Sequence, residues 1–198
     1  MNVGIVILAA GASSRMGFPK QTLPIFGTTM LKHLLLEVFE TPCFPITVVV
    51  GANKAKVVPE LKDMPVNVID NKAWEEGMGG SIKMGLIGTY LVSNAIEAII
   101  VMTSDMPYVN AGLLKSLIQT AEELPNKSII AARYNETAGI PVLFKRTRFE
   151  EILDLKPEMG AKSILEKNRH DIATVDFELG RIDLDTKEEY FNFIQSKN

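Results

Sequence analysis

The sequence predicts a three-layer α/β fold, in which a mostly parallel sheet carries helices on both faces. Three observations predict it. Short apolar, β-branched runs alternate with stretches of helical spacing along the chain. The runs are apolar enough to be buried on both sides, as strands between two helical layers are. The first of them ends in a glycine-punctuated loop, the way a buried strand meets a ligand crevice at the carboxyl edge of such a sheet.

Taken in order, residues 3–8 form the first buried strand, closing on Ile7 and Leu8. Residues 28–40 form a helix, because Met30, Leu31, Leu34, Leu35, Val38 and Phe39 recur at spacings of three and four. A strand at 46–50 follows, then a helix at 53–62 that Asn53 is placed to cap. Next come a strand at 66–69, a helix at 80–93 and a strand at 97–102, which Pro107 keeps from continuing. Residues 110–123 are helical, and 128–132 and 141–145 are strands. Residues 146–155 and 160–168 are helical, 172–177 form a last strand, and 186–196 a last helix. There is no linker, repeat or low-complexity tract, so 1–198 reads as one domain. The loops after residues 8, 51, 70 and 102 are where a ligand is expected.

Composition narrows the function classes. The 198 residues are 46% hydrophobic and 23% charged, which suits a soluble globular chain with a sizeable core. A formal net charge of −3 argues against a general nucleic-acid binder but leaves room for a small anion held by a few placed cations. No apolar run reaches the length of a membrane span. The single cysteine, Cys43, excludes an intramolecular disulfide, and no Cys/His cluster suggests zinc. The first residues lack the basic and cleavable features of a secretory leader, so a cytoplasmic enzyme is expected.

The loop after the first strand is Leu8-Ala9-Ala10-Gly11-Ala12-Ser13-Ser14-Arg15-Met16-Gly17-Phe18-Pro19-Lys20. It lacks the Gly-Lys-Ser/Thr ending of a P-loop, and Gly11 to Gly17 is too wide for a dinucleotide fingerprint. Small residues at Ala9, Ala10 and Gly11 let the backbone approach a ligand, Ser13 and Ser14 can donate to phosphate oxygens, and Arg15 and Lys20 supply positive charge. The pattern resembles the signature loop of nucleotidyltransferases, more narrowly that of the molybdenum cofactor cytidylyltransferase family and its guanylyltransferase relatives. The resemblance implies a Rossmann-like nucleotidyltransferase fold. It implies nucleotide contacts at Leu8, Ala9, Ala10, Gly11, Ser13 and Ser14, and catalytic charge from Arg15 and Lys20. Ala9-Ala10-Gly11, where guanylyl members carry Ala-Gly-Gly, favours CTP.

Asp105 stands after the 97–102 strand in Asp105-Met106-Pro107, matching the family's Asp-Met-Pro. A carboxylate there faces the crevice and suits Mg²⁺, which takes one or two protein carboxylates beside phosphate oxygens. Arg181-Ile182-Asp183-Leu184-Asp185-Thr186 resembles the family's Asp-Ile-Asp-Thr-Pro, with Lys187 in place of proline. Asp183 is a metal ligand or a salt-bridge partner. Asp185 is read as a helix cap, beside the capping-box spacing of Thr186 and Glu189. Trp74-Glu75-Glu76-Gly77-Met78-Gly79-Gly80-Ser81 resembles the family's Trp-x-x-Gly-Met-x-x-Ser, placing Gly80 and Ser81 at the nucleotide. Trp74 is assigned to packing, and Gly85 either to the motif or to close helix packing.

On the acceptor side, Gly139-Ile140-Pro141 resembles the family's Gly-His-Pro with isoleucine replacing histidine, and Gly160-Ala161-Lys162 resembles its Gly-Ala-Lys/Arg. The helix start at 161–163, with Lys162, is either a phosphate site or a surface turn. His33 and His170 have no metal-spaced partner, and Cys43 has no nearby base. The resemblance thus implies Mg²⁺-dependent transfer of CMP from CTP to molybdenum-loaded molybdopterin, with a molybdenum hydroxylase or its chaperone as recipient and no nucleic-acid or membrane partner. The alternatives are GTP-using chemistry, a sugar-phosphate or isoprenoid-precursor acceptor, and a non-catalytic accessory protein for cofactor insertion.

Overall fold

The computed structural model describes residues 1–195. The strands are β1 (Val3–Ala9), β2 (Pro24–Ile25), β3 (Thr28–Thr29), β4 (Ile46–Val50), β5 (Asn67–Asp70), β6 (Ala98–Thr103), β7 (Ile129–Tyr134), β8 (Thr137–Lys145) and β9 (Ile172–Asp176). The α-helices are α1 (Met30–Phe39), α2 (Lys54–Val57), α3 (Met78–Val92), α4 (Ala111–Glu123), α5 (Phe149–Leu153), α6 (Ala161–Lys167) and α7 (Lys187–Gln195). The main sheet has seven strands in the order β5-β4-β1-β6-β8-β7-β9. Only β8 runs against its neighbours β6 and β7; the other pairings are parallel. From β1 the chain goes outward to β4 and β5, then returns to place β6 on the other side of β1. That reversal between β1 and β6 opens a crevice at their carboxyl ends.

Both faces of β1 are apolar because both are covered. Ile5 and Ile7 join a core with Leu31, Leu34 and Leu35 of α1 and Leu114 and Leu117 of α4. Val6 and Leu8 join the opposite core with Ile82 and Leu86 of α3, Ile152 of α5 and Ile164 of α6. Each such side chain contributes roughly 1.5–3 kcal/mol on burial, so the paired cores hold the sheet edge rigid beneath the loops. A third, smaller cluster of Met16, Leu23, Ile25, Met30, Leu184 and Phe193 ties the first loop and the β2–β3 hairpin to the chain before and within α7.

Several elements depart from the sequence reading for identifiable reasons. The helix expected at 53–62 is α2 followed by a 3₁₀ turn over Val58–Leu61, since Pro59 has no N–H to continue an α-helical ladder. The stretch 28–40 begins as strand β3, paired with β2 through a turn at Phe26 and Gly27, both at positive φ. Residues 146–155 open with a 3₁₀ turn before α5. The strand expected at 141–145 starts at Thr137, because Asn135 and Glu136 at φ 48° and 58° close a tight hairpin with β7. Residue 196 of the expected last helix lies outside the described residues. Among the described residues no helix is long and apolar enough to cross a membrane.

Candidate active site

The loop after β1 is shaped by its carbonyl groups. The Leu8 carbonyl accepts from the Ser104 N–H at 3.1 Å and the Ala10 carbonyl from the Ala52 N–H at 3.0 Å. Gln21 Nε2 donates to the Ala9 carbonyl at 3.2 Å. Asn53 Nδ2 donates to the Gly11 and Ala12 carbonyls at 3.2 and 3.1 Å. The Ser13 carbonyl accepts from Met16 and Gly17 N–H. In a trans peptide the N–H points opposite the preceding C=O. Holding the carbonyls of Ala10, Gly11 and Ala12 on Ala52 and Asn53 therefore turns the N–H groups of Gly11, Ala12 and Ser13 the other way, an arrangement suited to an anion. Asn53 does not cap α2, for its side chain makes no cap hydrogen bond; it is spent on the loop. Ser13 sits at φ 53°, and its hydroxyl accepts the Lys20 N–H at 3.2 Å, which closes the loop.

The loop walls a cavity of about 370 Å³, together with Leu8, Trp74, Glu75, Gly77, Met78, Ser81, Thr103, Ser104, Asp105 and Asp185. Of the residues singled out in the sequence, Leu8, Ala10, Gly11, Ser13, Ser14, Arg15, Lys20, Ser81 and Asp105 line it. Ala9, which is buried, and Gly80 are not among the lining residues; a Cβ built on Gly80 would lie 3.7 Å from Asn71 Nδ2.

At the mouth, Lys20 lies between two carboxylates. Its Nζ is 3.0 Å from Asp105 Oδ2 and makes a closer ion pair with Asp185, which also pairs with Arg15. Burial alone would lower the Lys20 pKa, but the charge of Asp105 and the hydrogen bonds to Asp185 and Asp105 outweigh it and raise it. Asp185 is held below the usual carboxylate range because its Lys20 and Arg15 partners overcome its burial. Asp185 is not the helix cap. Thr186 is, with its Oγ1 accepting the Glu189 N–H at 3.2 Å while Glu189 Oε2 accepts the Thr186 N–H at 2.7 Å. The capping box leaves the Asp185 carboxylate free for the cations. Asp183 makes no salt bridge among the described residues. Burial, then the negative charges of Asp185 and Asp105, push its carboxyl up, and Asp183 is not among the residues that line the cavity.

The Trp74–Ser81 segment divides its labour. Ser81, in the first turn of α3, is buried, lines the cavity and accepts a 2.9 Å hydrogen bond from Asn71 Nδ2. Asn71 is itself fixed by the Ala73 N–H at 3.0 Å. Trp74 packs on the α3-side core and also lines the cavity. Gly77, which also lines the cavity, and Gly79 serve packing. A Cβ on Gly77 would lie 2.4 Å from the Pro157 carbonyl oxygen, and one on Gly79 would lie 2.2 Å from that of Lys156. Gly79 N–H donates to the Pro157 carbonyl at 2.9 Å. Gly85 likewise admits Val6 of β1, at 2.2 Å from a built Cβ.

Lys162 does not reach the cavity. It lines a separate groove of about 490 Å³ with Arg133 and Arg169 and lies 3.9 Å from Glu166. Ile140 packs against both cores. His33 Nε2 bonds the Pro107 carbonyl at 3.2 Å and so fixes α1 to the loop after β6. Burial pushes the Cys43 thiol up, away from thiolate chemistry. Sequence reasoning passed over Gln21 and Asn71. The signal available for Asn71 was its place in the loop after residue 70, one of those where a ligand is expected.

Comparison with known proteins places this arrangement. The bifunctional protein GlmU of Clavibacter sepedonicus is 25% identical over 202 residues, which cover 96% of this chain and 41% of GlmU; the chain spans about two-fifths of that relative's length. The purine catabolism protein PucB of Bacillus subtilis (strain 168) is 26% identical over 197 residues, 93% of this chain and 92% of PucB. The crystal structure of Rv0371c from Mycobacterium tuberculosis H37Rv superposes with a TM-score of 0.81 at 27% identity, covering 98% of each chain. Its complex with manganese superposes at 0.74 and 25% identity, covering 99% of this chain and 100% of that one. The MobA-like NTP transferase domain matches residues 5–173, and the chain belongs to that family.

Proposed function

We propose that the protein is a single-domain, Mg²⁺-dependent nucleotidyltransferase that moves CMP from CTP to a phosphorylated acceptor of the molybdopterin type. The observation that carries this reading is Lys20 held between Asp105 and Asp185 at the mouth of a loop whose N–H groups are turned outward. The loop N–H groups and Ser14 would take the triphosphate. Ser81, its oxygen occupied by Asn71, still has a hydroxyl hydrogen to offer the nucleoside. Arg15 and Lys20 would face the phosphates and offset the charge that builds as pyrophosphate departs.

The donor set fits a hard divalent ion. Asp105 and Asp183 would supply the oxygen ligands that such an ion takes. Among the described residues no three His, Cys, Asp or Glu side chains form a metal cage; Mg²⁺ held here would take the rest of its shell from water and substrate phosphates. Bound there, Mg²⁺ would neutralise phosphate oxygens and orient them. The relative Rv0371c has been crystallised with manganese.

In the reaction, an acceptor phosphate oxygen attacks the α-phosphorus in line, a P–O–P bridge forms, and the bond to the β-phosphate oxygen breaks to release pyrophosphate. A phosphate nucleophile is already ionised near pH 7, so the site needs no strong base, and positioning carries most of the catalysis.

The test is pyrophosphate release with Mg²⁺ and each of the four nucleoside triphosphates, with and without molybdenum-loaded molybdopterin. Release from CTP only with the cofactor present is expected; release with neither CTP nor GTP would sink the reading. Ile140, standing where the family carries histidine, favours a second reading in which the acceptor is another phosphorylated molecule. An Asp105→Ala variant separates enzyme from carrier. The enzyme loses turnover, while a carrier still delivers cofactor to its hydroxylase.

A further inference from the structure

β9 closes the strand order of the main sheet and pairs with β7 on one side only. Just past the strand, the Phe177 N–H donates to the Arg133 carbonyl at 2.8 Å. Backbone groups alternate sides along a strand, so Val175 and Ala173 also face β7, and the N–H and C=O of Thr174 point away from the sheet. Among the described residues nothing bonds them. Natural sheets blunt such an edge with proline, lysine, a bulge or a covering segment. β9 reads Ile172-Ala173-Thr174-Val175-Asp176, follows β7 in unbroken register and leaves Thr174 exposed at its centre. On the α6 face, Ile172 and Thr174 line the groove of about 490 Å³ instead of being roofed by the helix.

The two ends of this edge carry opposite charge. Asp176 is taken by Arg133 and Lys167 by Glu151. Arg169 before the strand and Glu178 after it are exposed, and neither makes a salt bridge among the described residues. A strand that is basic at its start and acidic at its end is complementary to itself run backwards. We propose that β9 is the contact of a homodimer, in which two copies pair antiparallel with Thr174 opposite Thr174. In that register the N–H and C=O of each Thr174 bond those of the other, as in a hydrogen-bonded antiparallel pair, and the two threonine side chains meet on one face. Ile172 falls opposite Asp176, and Arg169 of each chain comes beside Glu178 of the other. The axis is two-fold, so each charge contact forms twice. None of residues 169–178 lines the candidate nucleotide cavity, and the proposal stands apart from the nucleotide reading.

The experiment is sedimentation equilibrium of the full chain, as wild type, Thr174→Pro, Arg169→Glu, Glu178→Arg and the Arg169→Glu/Glu178→Arg double variant. The wild type should sediment as a dimer. Thr174→Pro removes an N–H that its own chain does not use, a change that edge strands accept, and it should weaken the dimer at least about tenfold. Each single charge reversal sets like charges together twice and should weaken it about fivefold or more, while the double variant returns to within about twofold of wild type. If Thr174→Pro does not fold, the charge set decides alone. A wild type that stays monomeric up to about 100 µM overturns the proposal and leaves the edge to some other partner. A dimer that all these variants leave intact also overturns it. Dissociation of that dimer by Leu91→Glu would move the contact to the exposed apolar face of α3 around Ile87 and Leu91.

Discussion

Gly11 and Gly79 both stand in glycine-rich segments at the carboxyl edge of the same sheet, but they make room for different things. A Cβ built on Gly11 meets nothing within 4 Å, whereas one on Gly79 lands 2.2 Å from the Lys156 carbonyl oxygen and 2.6 Å from that of Met159. The first loop keeps its space open towards a cavity and spends its carbonyls on the protein behind it. The second segment fills its space with the Lys156–Gly160 turn, so that Gly79 N–H is already used. Ser81, held by Asn71, carries its polar face to the cavity. Two loops of like composition thus divide into a ligand cradle and a packing joint, and what a side chain would strike separates them.

That difference breaks most visibly at the joint. Gly79→Ala and Gly77→Ala should each cost about 3 kcal/mol or more, since backbone of the 156–160 turn must move and Gly77 also holds φ +128°. Urea unfolding midpoints check this, and near-native stability of both variants would show that the turn yields easily. Gly11→Ala should leave stability within about 0.5 kcal/mol of wild type. It should nevertheless weaken CTP binding by about tenfold, because the new methyl stands where backbone must meet phosphate. Unchanged affinity measured by calorimetry would move the cradle elsewhere.

What could be read in the sequence followed from how local its cause was. β1, β4 and β6 were legible because strands covered on both sides are apolar throughout, and Leu8–Lys20 because a many-residue motif sat in its expected strand-to-loop context. Long-range partnerships were not legible. Asn53 precedes a helix and is a good cap residue, yet its amide reaches back about forty positions in sequence to Gly11 and Ala12. Asp185 and Thr186 are both competent caps, and only the fold, by bringing Arg15 and Lys20 alongside, decides which one caps. The β7–β8 turn was missed because Asn135-Glu136 lacks the glycine that usually marks two successive positive-φ residues. Pro59 was the visible warning that 53–62 would not be one helix.

The comparison sharpens further at Asn53, which holds the cradle open without touching a ligand. Asn53→Ala removes two hydrogen bonds to loop carbonyls and should cost about 1 kcal/mol of stability. With the loop carbonyls released, CTP affinity should fall a few-fold, while turnover at saturating nucleotide stays near wild type. A fall in turnover with unchanged affinity would count against a purely positioning role.

The smallest effect lies far from both loops and supplies their control. Asp171 accepts from the Ser128 N–H at 3.0 Å and from the Ser128 hydroxyl and Arg148. Burial opposes its ionisation, but these partners prevail and lower its pKa from 3.8 to about 2. A folded-state pKa below the unfolded one means that the unfolded chain binds the proton more readily. The stabilisation is therefore complete above the unfolded value of 3.8 and is lost as pH falls through about 2. Urea unfolding of wild type and Asp171→Asn between pH 5 and pH 2 should show a gap that is constant at the upper end and narrows below about pH 4. A gap that stayed constant to pH 2 would mean that Asp171 acts through shape and not charge. Because the Ser128–Arg148–Asp171 group touches neither glycine segment, CTP affinity at neutral pH should be the same in both proteins, and any loss there would join this end of the sheet to the cradle.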